Sequence, residues 1–192
     1  MTRRLAAFVL AAVLPTAHSP AAAAELESRL QAYAETEVAA WVQDPILIDA
    51  ILAANTAHAA LTPEGVMALD LAWRAEIGAP QTPTITPVLE NTASDFLRAQ
   101  MRAAGGSITE VFVMDAQGLN VAASGVTSDY WQGDEEKFTA TYPAGPGALH
   151  LGPVELDEST QIYQAQVSMT VTDPATGLAI GAITVALNAE SF

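Results

Sequence analysis

The sequence from Gln161 to Leu187 reads QIYQAQVSMTVTDPATGLAIGAITVAL. It contains two β-rich runs, Gln161 to Thr172 and Leu178 to Leu187, joined by the turn-forming segment Asp173-Pro174-Ala175-Thr176-Gly177. Turn residues between two such runs are typical of an antiparallel hairpin. This stretch therefore predicts a long hairpin near the C-terminus.

A second hairpin is predicted earlier in the chain. The run Glu110 to Met114 is β-rich, the segment Asp115 to Gly118 forms a turn, and the chain returns from Leu119 to Ser124. A further short strand is expected near Val154 to Leu156. Together these runs predict a sheet of about five strands.

The first half of the chain has the features of helices. From Glu25 onward apolar residues recur at helical spacing, which indicates a long helix. A cap residue followed by proline marks a helix start, and such pairs occur at Asp44-Pro45, Thr62-Pro63 and Thr86-Pro87. We expect the third of these helices to end at the glycines Gly105-Gly106. Helices followed by hairpins predict an α+β domain with an antiparallel sheet.

Two stretches of this sequence resemble a known family. The run Val111 to Ser124, VFVMDAQGLNVAAS, resembles the central hairpin of extracellular Cache (PDC) sensor domains, the PAS-like folds outside bacterial receptor kinases and chemoreceptors. The run Asp173 to Val185 is similar to that family's last hairpin, in which a glycine-containing turn leads into an apolar strand with a glycine, here Gly177 and Gly181. The resemblance implies a single domain over residues 25–192, with N-terminal helices and a PAS-like antiparallel sheet.

The resemblance also implies a place for a ligand. In Cache domains small ligands lie on the central sheet, beneath the loops that follow the first hairpin. Here that region, Ser128 to Phe138, reads SDYWQGDEEKF and combines aromatic with polar side chains, as small-molecule pockets do. The predicted ligand-binding residues are Tyr130, Trp131, Gln132, Asp134, Lys137, Tyr142 and Gln166.

Each of these assignments has an alternative. Trp131 could fill the core instead, and the acidic run after it could begin a solvated helix. Lys137 is the only Lys or Arg after Arg102, so it is either the sole side-chain clamp for a carboxylate or a surface lysine paired with Asp134 or Glu135. Amino-acid-binding Cache domains typically carry an arginine close to the aromatic pair. No arginine follows Trp131, so the sequence argues against an amino-acid ligand.

The N-terminus has the features of a secretory signal. Arg3 and Arg4 precede the apolar run Leu5 to Leu14, and the small residues Ala22-Ala23-Ala24 offer a cleavage site. The run is shorter than the ~20 residues that a membrane-spanning helix needs. We therefore expect a signal peptide over residues 1–24 and a periplasmic or secreted protein, an uncleaved anchor being the alternative.

The composition excludes several function classes. The chain carries 22 Asp and Glu against 7 Lys and Arg, a net charge of −15, so neither nucleic acid nor anionic lipid is an expected partner. We expect no direct membrane insertion once the signal is removed. Cysteine is absent, which excludes disulfides, thiol catalysis and Cys-ligated zinc. Apolar residues make up 51% of the chain, enough for an ordinary core.

Metal binding and catalysis have weaker support. The candidate carboxylates for a cation do not follow the spacing of a calcium loop, and they are Asp129, Asp134, Glu135, Glu136, Asp157 and Glu158. Outside the signal only His58 and His150 remain, and no Gly-x-Ser-x-Gly or His-Glu-x-x-His motif occurs. We expect His58 to be a surface or interface residue, and we assign no catalytic residue, metal site or cofactor.

These observations favour an exported, single-domain binding protein that acts without chemistry. The chain ends at Phe192, where a receptor would continue into the membrane, so the resemblance implies a stand-alone sensory domain. Such a domain would hold a small molecule and signal through a partner, either a membrane receptor or a homodimer. The alternatives are a partner-binding or dimerising scaffold and a divalent-cation-binding domain.

Overall fold

The computed structural model describes residues 20–157 and 161–192. The predicted signal features at Arg3, Arg4 and Leu5 to Leu14 lie outside the described residues, as does Glu158.

The long N-terminal helix is present and contains a wider turn. It comprises α1 (Pro20–Tyr33), a π-helical turn (Ala34–Val38) and α2 (Ala39–Val42). Its buried stripe, Leu30, Ala34, Val38 and Val42, repeats every four residues. Because an α-helix repeats every 3.6 residues, such a stripe would drift around the helix. The wider π turn brings the stripe back towards the sheet.

The proline start signals correctly predict the next two helices. In α3 (Pro45–His58) the Asp44 carboxylate accepts a hydrogen bond from the Ile46 N–H. In α4 (Pro63–Glu76) the Thr62 hydroxyl accepts one from the Gly65 N–H. Both side chains satisfy backbone donors that the first helical turn leaves free.

The single helix expected from Thr86-Pro87 to the glycine pair is wrong. The structure has α5 (Ile85–Leu89) and a separate α6 (Thr92–Ala103). Asn91 separates them, because its side-chain oxygen accepts from the Ser94 N–H while its amide donates to the Val88 carbonyl. Asparagine favours such local bonds over a continuous helix.

The antiparallel sheet has six strands. They are β1 (Ile108–Met114), β2 (Asn120–Ala123), β3 (Leu149–Leu151), β4 (Glu155–Asp157), β5 (Ile162–Thr172) and β6 (Ala179–Asn188). The spatial order is β2-β1-β6-β5-β3, and β4 also pairs with β5. Both predicted hairpins and the strand near Val154 are confirmed, and so is the α+β, PAS-like fold class. The short β3 was not predicted, whereas the helical turn α7 (Glu136–Thr139) begins in the acidic run that the alternative interpretation took as a helix start.

The sheet packs against helices on both faces. On one face, α1, α2, α3 and α6 cover an apolar surface that includes Val111, Val113, Val167 and Val185. On the opposite face, α4 and α5 form a second core with Phe112, Met114 and the loop residues Tyr130 and Phe138. We call this opposite face the mixed face, because polar side chains occupy the rest of it.

Candidate functional site

The polar part of the mixed face lies towards the edge where β3 and β4 pair with β5. On β5 the residues Gln164, Gln166, Ser168 and Thr170 alternate with Ala165, Val167, Met169 and Val171, three of which are buried under the helices. Alternation therefore directs the polar set to the mixed face. Gln166 lies opposite Ala186, which lies opposite Glu110 on β1. Gln164 lies opposite Glu155 on β4.

A pocket of about 260 Å³ lies at this edge. Its lining comes from β4, β5, the connection between β3 and β4, and the start of α7. The lining residues are Glu135, Lys137, Gly152, Pro153, Glu155, Leu156, Asp157, Gln164 and Gln166. We call it the polar pocket. It combines three carboxylates, one ammonium group and two side-chain amides in a concave site.

Lys137 is held inward at the wall of the polar pocket. Its Nζ atom lies 2.9 Å from the Glu135 carboxylate and donates a hydrogen bond of 3.2 Å to Gln132 Oε1. The same atom lies 5.4 Å from the ring centroid of Phe112. With its side chain only 14% exposed, Lys137 is tied to partners on both the loop and the sheet. Of the two interpretations of Lys137, the alternative named Asp134 or Glu135 as its partner; the structure shows the pair with Glu135, but the lysine is largely buried and not on the surface.

Glu110 is a second ionisable group on this face. Burial raises the pKa of its carboxyl group, while the nearby Lys137 ammonium lowers it and the Asp157 carboxylate raises it. Within residues 20–157 and 161–192, its side chain forms neither a hydrogen bond nor a salt bridge. A partly buried carboxylate without such partners is more costly to ionise than an exposed one.

Gln164 and Gln166 differ in their remaining bonding capacity. The Gln164 amide donates to Asp157 at 3.0 Å, and its oxygen accepts a 2.6 Å hydrogen bond from the Thr109 hydroxyl. The Gln166 side chain lines the pocket without a hydrogen bond to any part of the chain that the structure describes. Its amide is therefore the more available of the two for a ligand.

The structure brings part of the predicted ligand-binding set together. Lys137 and Gln166 line the polar pocket, and Gln132 is buried behind Lys137. Tyr142 stacks on Phe138, with ring centroids 5.4 Å apart, in the core beside the pocket wall. Asp134 is exposed on the same loop and does not line the pocket.

The aromatic pair lies elsewhere. Tyr130 is 7% exposed and stacks on Trp73, with ring centroids 5.1 Å apart. Burial, together with the Asp115 carboxylate, raises the pKa of Tyr130 to about 12. Trp131 donates a hydrogen bond from Nε1 to the Gln117 carbonyl. It borders a separate, mainly apolar pocket of about 320 Å³, whose other lining residues are Leu61, Pro63, Val66, Met67 and Gln117.

Helix α4 fixes the loop that carries these residues. Asp70 is 1% exposed, and its Oδ1 atom accepts hydrogen bonds from the N–H groups of Tyr130 and Trp131. Its other oxygen accepts from Arg74, which also pairs with Asp129. The buried carboxylate of Asp70 thus positions the backbone of the loop at Tyr130 and Trp131. The residues of the pocket wall follow shortly after in the same loop.

His58, which the sequence predicts to be a surface or interface residue, is largely covered and pairs with a residue of the same chain. Its Nδ1 atom lies 2.5 Å from the carboxylate of Asp115, which is fully buried. Asp115 also accepts from the N–H groups of Gln117 and Leu119, so it organises the turn of the first hairpin. The contact between His58 and Asp115 ties the end of α3 to this turn. His150 lies on β3, 3.8 Å from Glu136.

Neither a metal centre nor a membrane span is evident in the described ranges. Within them, no group of three or more His, Asp or Glu side chains is placed to hold a metal ion. No individual helix there combines the length and apolarity needed to cross a membrane. Only α3 and α4 taken together meet those criteria, and they are bent by 118°.

Sequence reasoning missed the role of the pocket edge. Glu155 was not singled out, Asp157 was considered only as a metal ligand, and Glu135 was considered as a metal ligand or as a partner of Lys137. Alternation along β5 gathers Gln164, Gln166 and Ser168 on one face, but alternation alone does not show whether that face borders a pocket or water. The missing information was the pairing of β4 with β5, which is a tertiary contact and leaves no local pattern.

Comparisons with known proteins give matches among the solved structures of bacterial sensor domains. No protein-family model matches the chain, and no curated protein does. The sensor domain of the V. cholerae histidine kinase DctB matches with 15% identity and a TM-score of 0.46, over 88% of this chain and 56% of that one. The ligand-binding domain of the Campylobacter jejuni chemoreceptor Tlp3, in complex with L-valine, matches with 13% identity and a TM-score of 0.42, over 90% and 65%.

A third solved structure is the ligand-binding domain of the Pseudomonas aeruginosa PAO1 amino acid chemoreceptor PctC in complex with GABA. It matches with 16% identity and a TM-score of 0.37, over 67% of this chain and 54% of that one. The chain thus spans less than two thirds of the length of each of these domains. The three matched structures are sensor or ligand-binding domains of a histidine kinase and of two chemoreceptors.

Proposed function

We propose that this protein is an exported sensor domain that binds a small ligand reversibly in the polar pocket and signals through a partner protein. The observation that carries the proposal is the polar pocket itself. It is concave, it lies on the face of the sheet opposite the long N-terminal helix, and it contains an amide without a bonding partner among the described residues, Gln166. Small-molecule sites combine these features.

The surrounding structure supports a preformed site. Asp70 anchors the loop, and Lys137 joins the loop to Glu135 and Gln132. Such bonds hold the wall in place before a ligand arrives, so less conformational entropy is lost on binding. The ligand would displace water from the amides of β5, and the loop with α7 would transmit the change to a partner.

A thermal-shift screen tests this function. The protein, purified from the periplasm of an expression host, is screened against small amines, amino acids, carboxylates, purines and divalent cations. A ligand at 100 times its Kd stabilises the folded state by about 2.7 kcal/mol. That corresponds to a rise in Tm of about 5 to 10 °C for a domain of this size.

The variant Gln166→Ala tests whether the hit occupies the polar pocket. Loss of one or two neutral hydrogen bonds weakens binding about three- to tenfold, so we expect a smaller thermal shift. The matched control is Gln81→Ala, an exposed glutamine in the connector before α5, which should leave the shift unchanged. No shift with any compound, or an equal shift in both variants, would contradict the proposal.

A further inference from the structure

The charges around the polar pocket restrict the ligands that it can accept. Three carboxylates line it, from Glu135, Glu155 and Asp157, against the one ammonium of Lys137. The whole chain carries a net charge of −15. The pocket therefore lies in a negative field that attracts cations and repels anions.

Lys137 is poorly placed to reverse this balance. Glu135 neutralises its charge at 2.9 Å, and Gln132 and the Phe112 ring take up further faces of the ammonium group. A carboxylate ligand would have to compete with Glu135 for Lys137 while approaching Glu155 and Asp157. The carboxylate clamp that the sequence suggested is thus already occupied by a residue of the same chain.

The oxygen atoms of the lining suit a ligand that is rich in hydrogen-bond donors. Gln166 offers a carbonyl oxygen without a partner among the described residues, and Glu155 extends an exposed carboxylate at the pocket edge. Glu110 lies opposite Ala186 in the same row of the sheet as Gln166, and burial raises the pKa of its carboxyl group. Ammonium groups donate hydrogen bonds and accept none, which matches this set of oxygens.

We infer that the polar pocket takes a small organic amine, a cation without a carboxylate, with Glu155 and the Gln166 oxygen as its principal partners. This inference rests on the proposed function and specifies its ligand class. The pocket volume of about 260 Å³ admits a compound of a few carbon atoms. Binding is non-covalent and is weakened by salt, because the partners lie near the surface.

Three probes of similar length and different charge test the inference by calorimetric titration of the whole exported protein. The first is 1,4-diaminobutane, which carries two positive charges. The second is 4-aminobutyrate, which carries one positive and one negative charge, and the third is succinate, which carries two negative charges. We expect 1,4-diaminobutane to bind most tightly. In Glu155→Gln its affinity should fall about fivefold, the effect of losing one close ion pair at the surface.

The control Glu90→Gln removes an exposed carboxylate near the opposite edge of the sheet and should leave the affinity unchanged. Lys137→Gln keeps a hydrogen-bond donor for Glu135 and removes the positive charge. Affinity for the diamine should therefore stay equal or rise, whereas a carboxylate ligand would lose its clamp.

Tighter binding of succinate or 4-aminobutyrate, sensitive to Gln166→Ala, would overturn the amine inference and leave the proposed function standing. Equal loss of diamine affinity in Glu155→Gln and Glu90→Gln would overturn it as well, since attraction would then be unspecific. A response to calcium chloride alone, or to none of the probes and none of the compounds in the wider screen, would overturn both proposals.

Discussion

Among single residues, Asp70 has the most consequential position outside the pocket. Its buried carboxylate accepts two backbone hydrogen bonds from the loop and pairs with Arg74. The sequence does not distinguish it from the other acidic residues of this acidic chain, because its backbone partners in the loop are 60 and 61 residues away.

Replacement of Asp70 by alanine should lower the free energy of unfolding by about 3 kcal/mol, because a buried N–H group and a partly buried one lose their acceptor. Denaturation with urea measures the effect. Asp95→Ala is the matched control, since Asp95 is 78% exposed and pairs only with Arg98 among the described residues. We expect its effect to stay below about 1 kcal/mol. Similar losses in the two variants would refute the anchoring role of Asp70.

The aromatic residues show how far residue-level prediction reaches. The sequence predicts that Tyr130 and Trp131 lie in the loop after the first hairpin, and they do. Adjacent residues in an extended segment point in different directions, however, so neither side chain lines the polar pocket. Tyr130 enters the core against Trp73, and Trp131 covers the turn that contains Gln117. Lys137 and Gln166 could be predicted as pocket residues from the family resemblance, whereas Glu155 required the order of the strands.

At the scale of elements, the closing hairpin depends on Gly181. A Cβ atom at this position would collide with the carbonyl oxygen of Met114 on β1 and would lie 3.1 Å from Ile51 of α3. The glycine therefore allows β6 to lie between β1 and the helix. The sequence identifies Gly181 through the family resemblance, and the structure supplies the steric reason.

Replacement of Gly181 by alanine should lower the free energy of unfolding by about 3 kcal/mol, because backbone must shift to admit the methyl group. The control is Gly125→Ala, where a Cβ atom would have no neighbour within 4 Å. We expect a change within about 0.5 kcal/mol there. Chemical denaturation of both variants measures these free energies of unfolding. An alanine at position 181 that leaves the free energy unchanged would contradict the close packing of β6.

The elements themselves were largely predictable, since their signals are local. Asp44 and Thr62 cap their helices within three residues, and the segment Asp173 to Gly177 forms its own turn. The division of α5 from α6 was missed because Asn91 lacks a following proline. The short β3 was missed because three residues show no periodicity, and only pairing with β5 makes them a strand.

For the whole molecule, the central feature is that the two faces of the sheet differ in polarity. One face is apolar and lies under the helices, and the mixed face joins a second core to the polar pocket. Composition and periodicity predict the α+β class. The position of the pocket depends on strand order and loop anchoring, which arise only when distant segments meet.

The most direct test of a small-ligand site in the polar pocket is amide chemical-shift mapping by nuclear magnetic resonance. Isotope-labelled protein is titrated in turn with 1,4-diaminobutane, 4-aminobutyrate and succinate. The account predicts saturable shifts centred on Glu155, Gln164 and Gln166, and largest with the diamine. Shifts confined to Gln117 and Trp131 at the apolar pocket, or an absence of saturable shifts with all three probes, would contradict it.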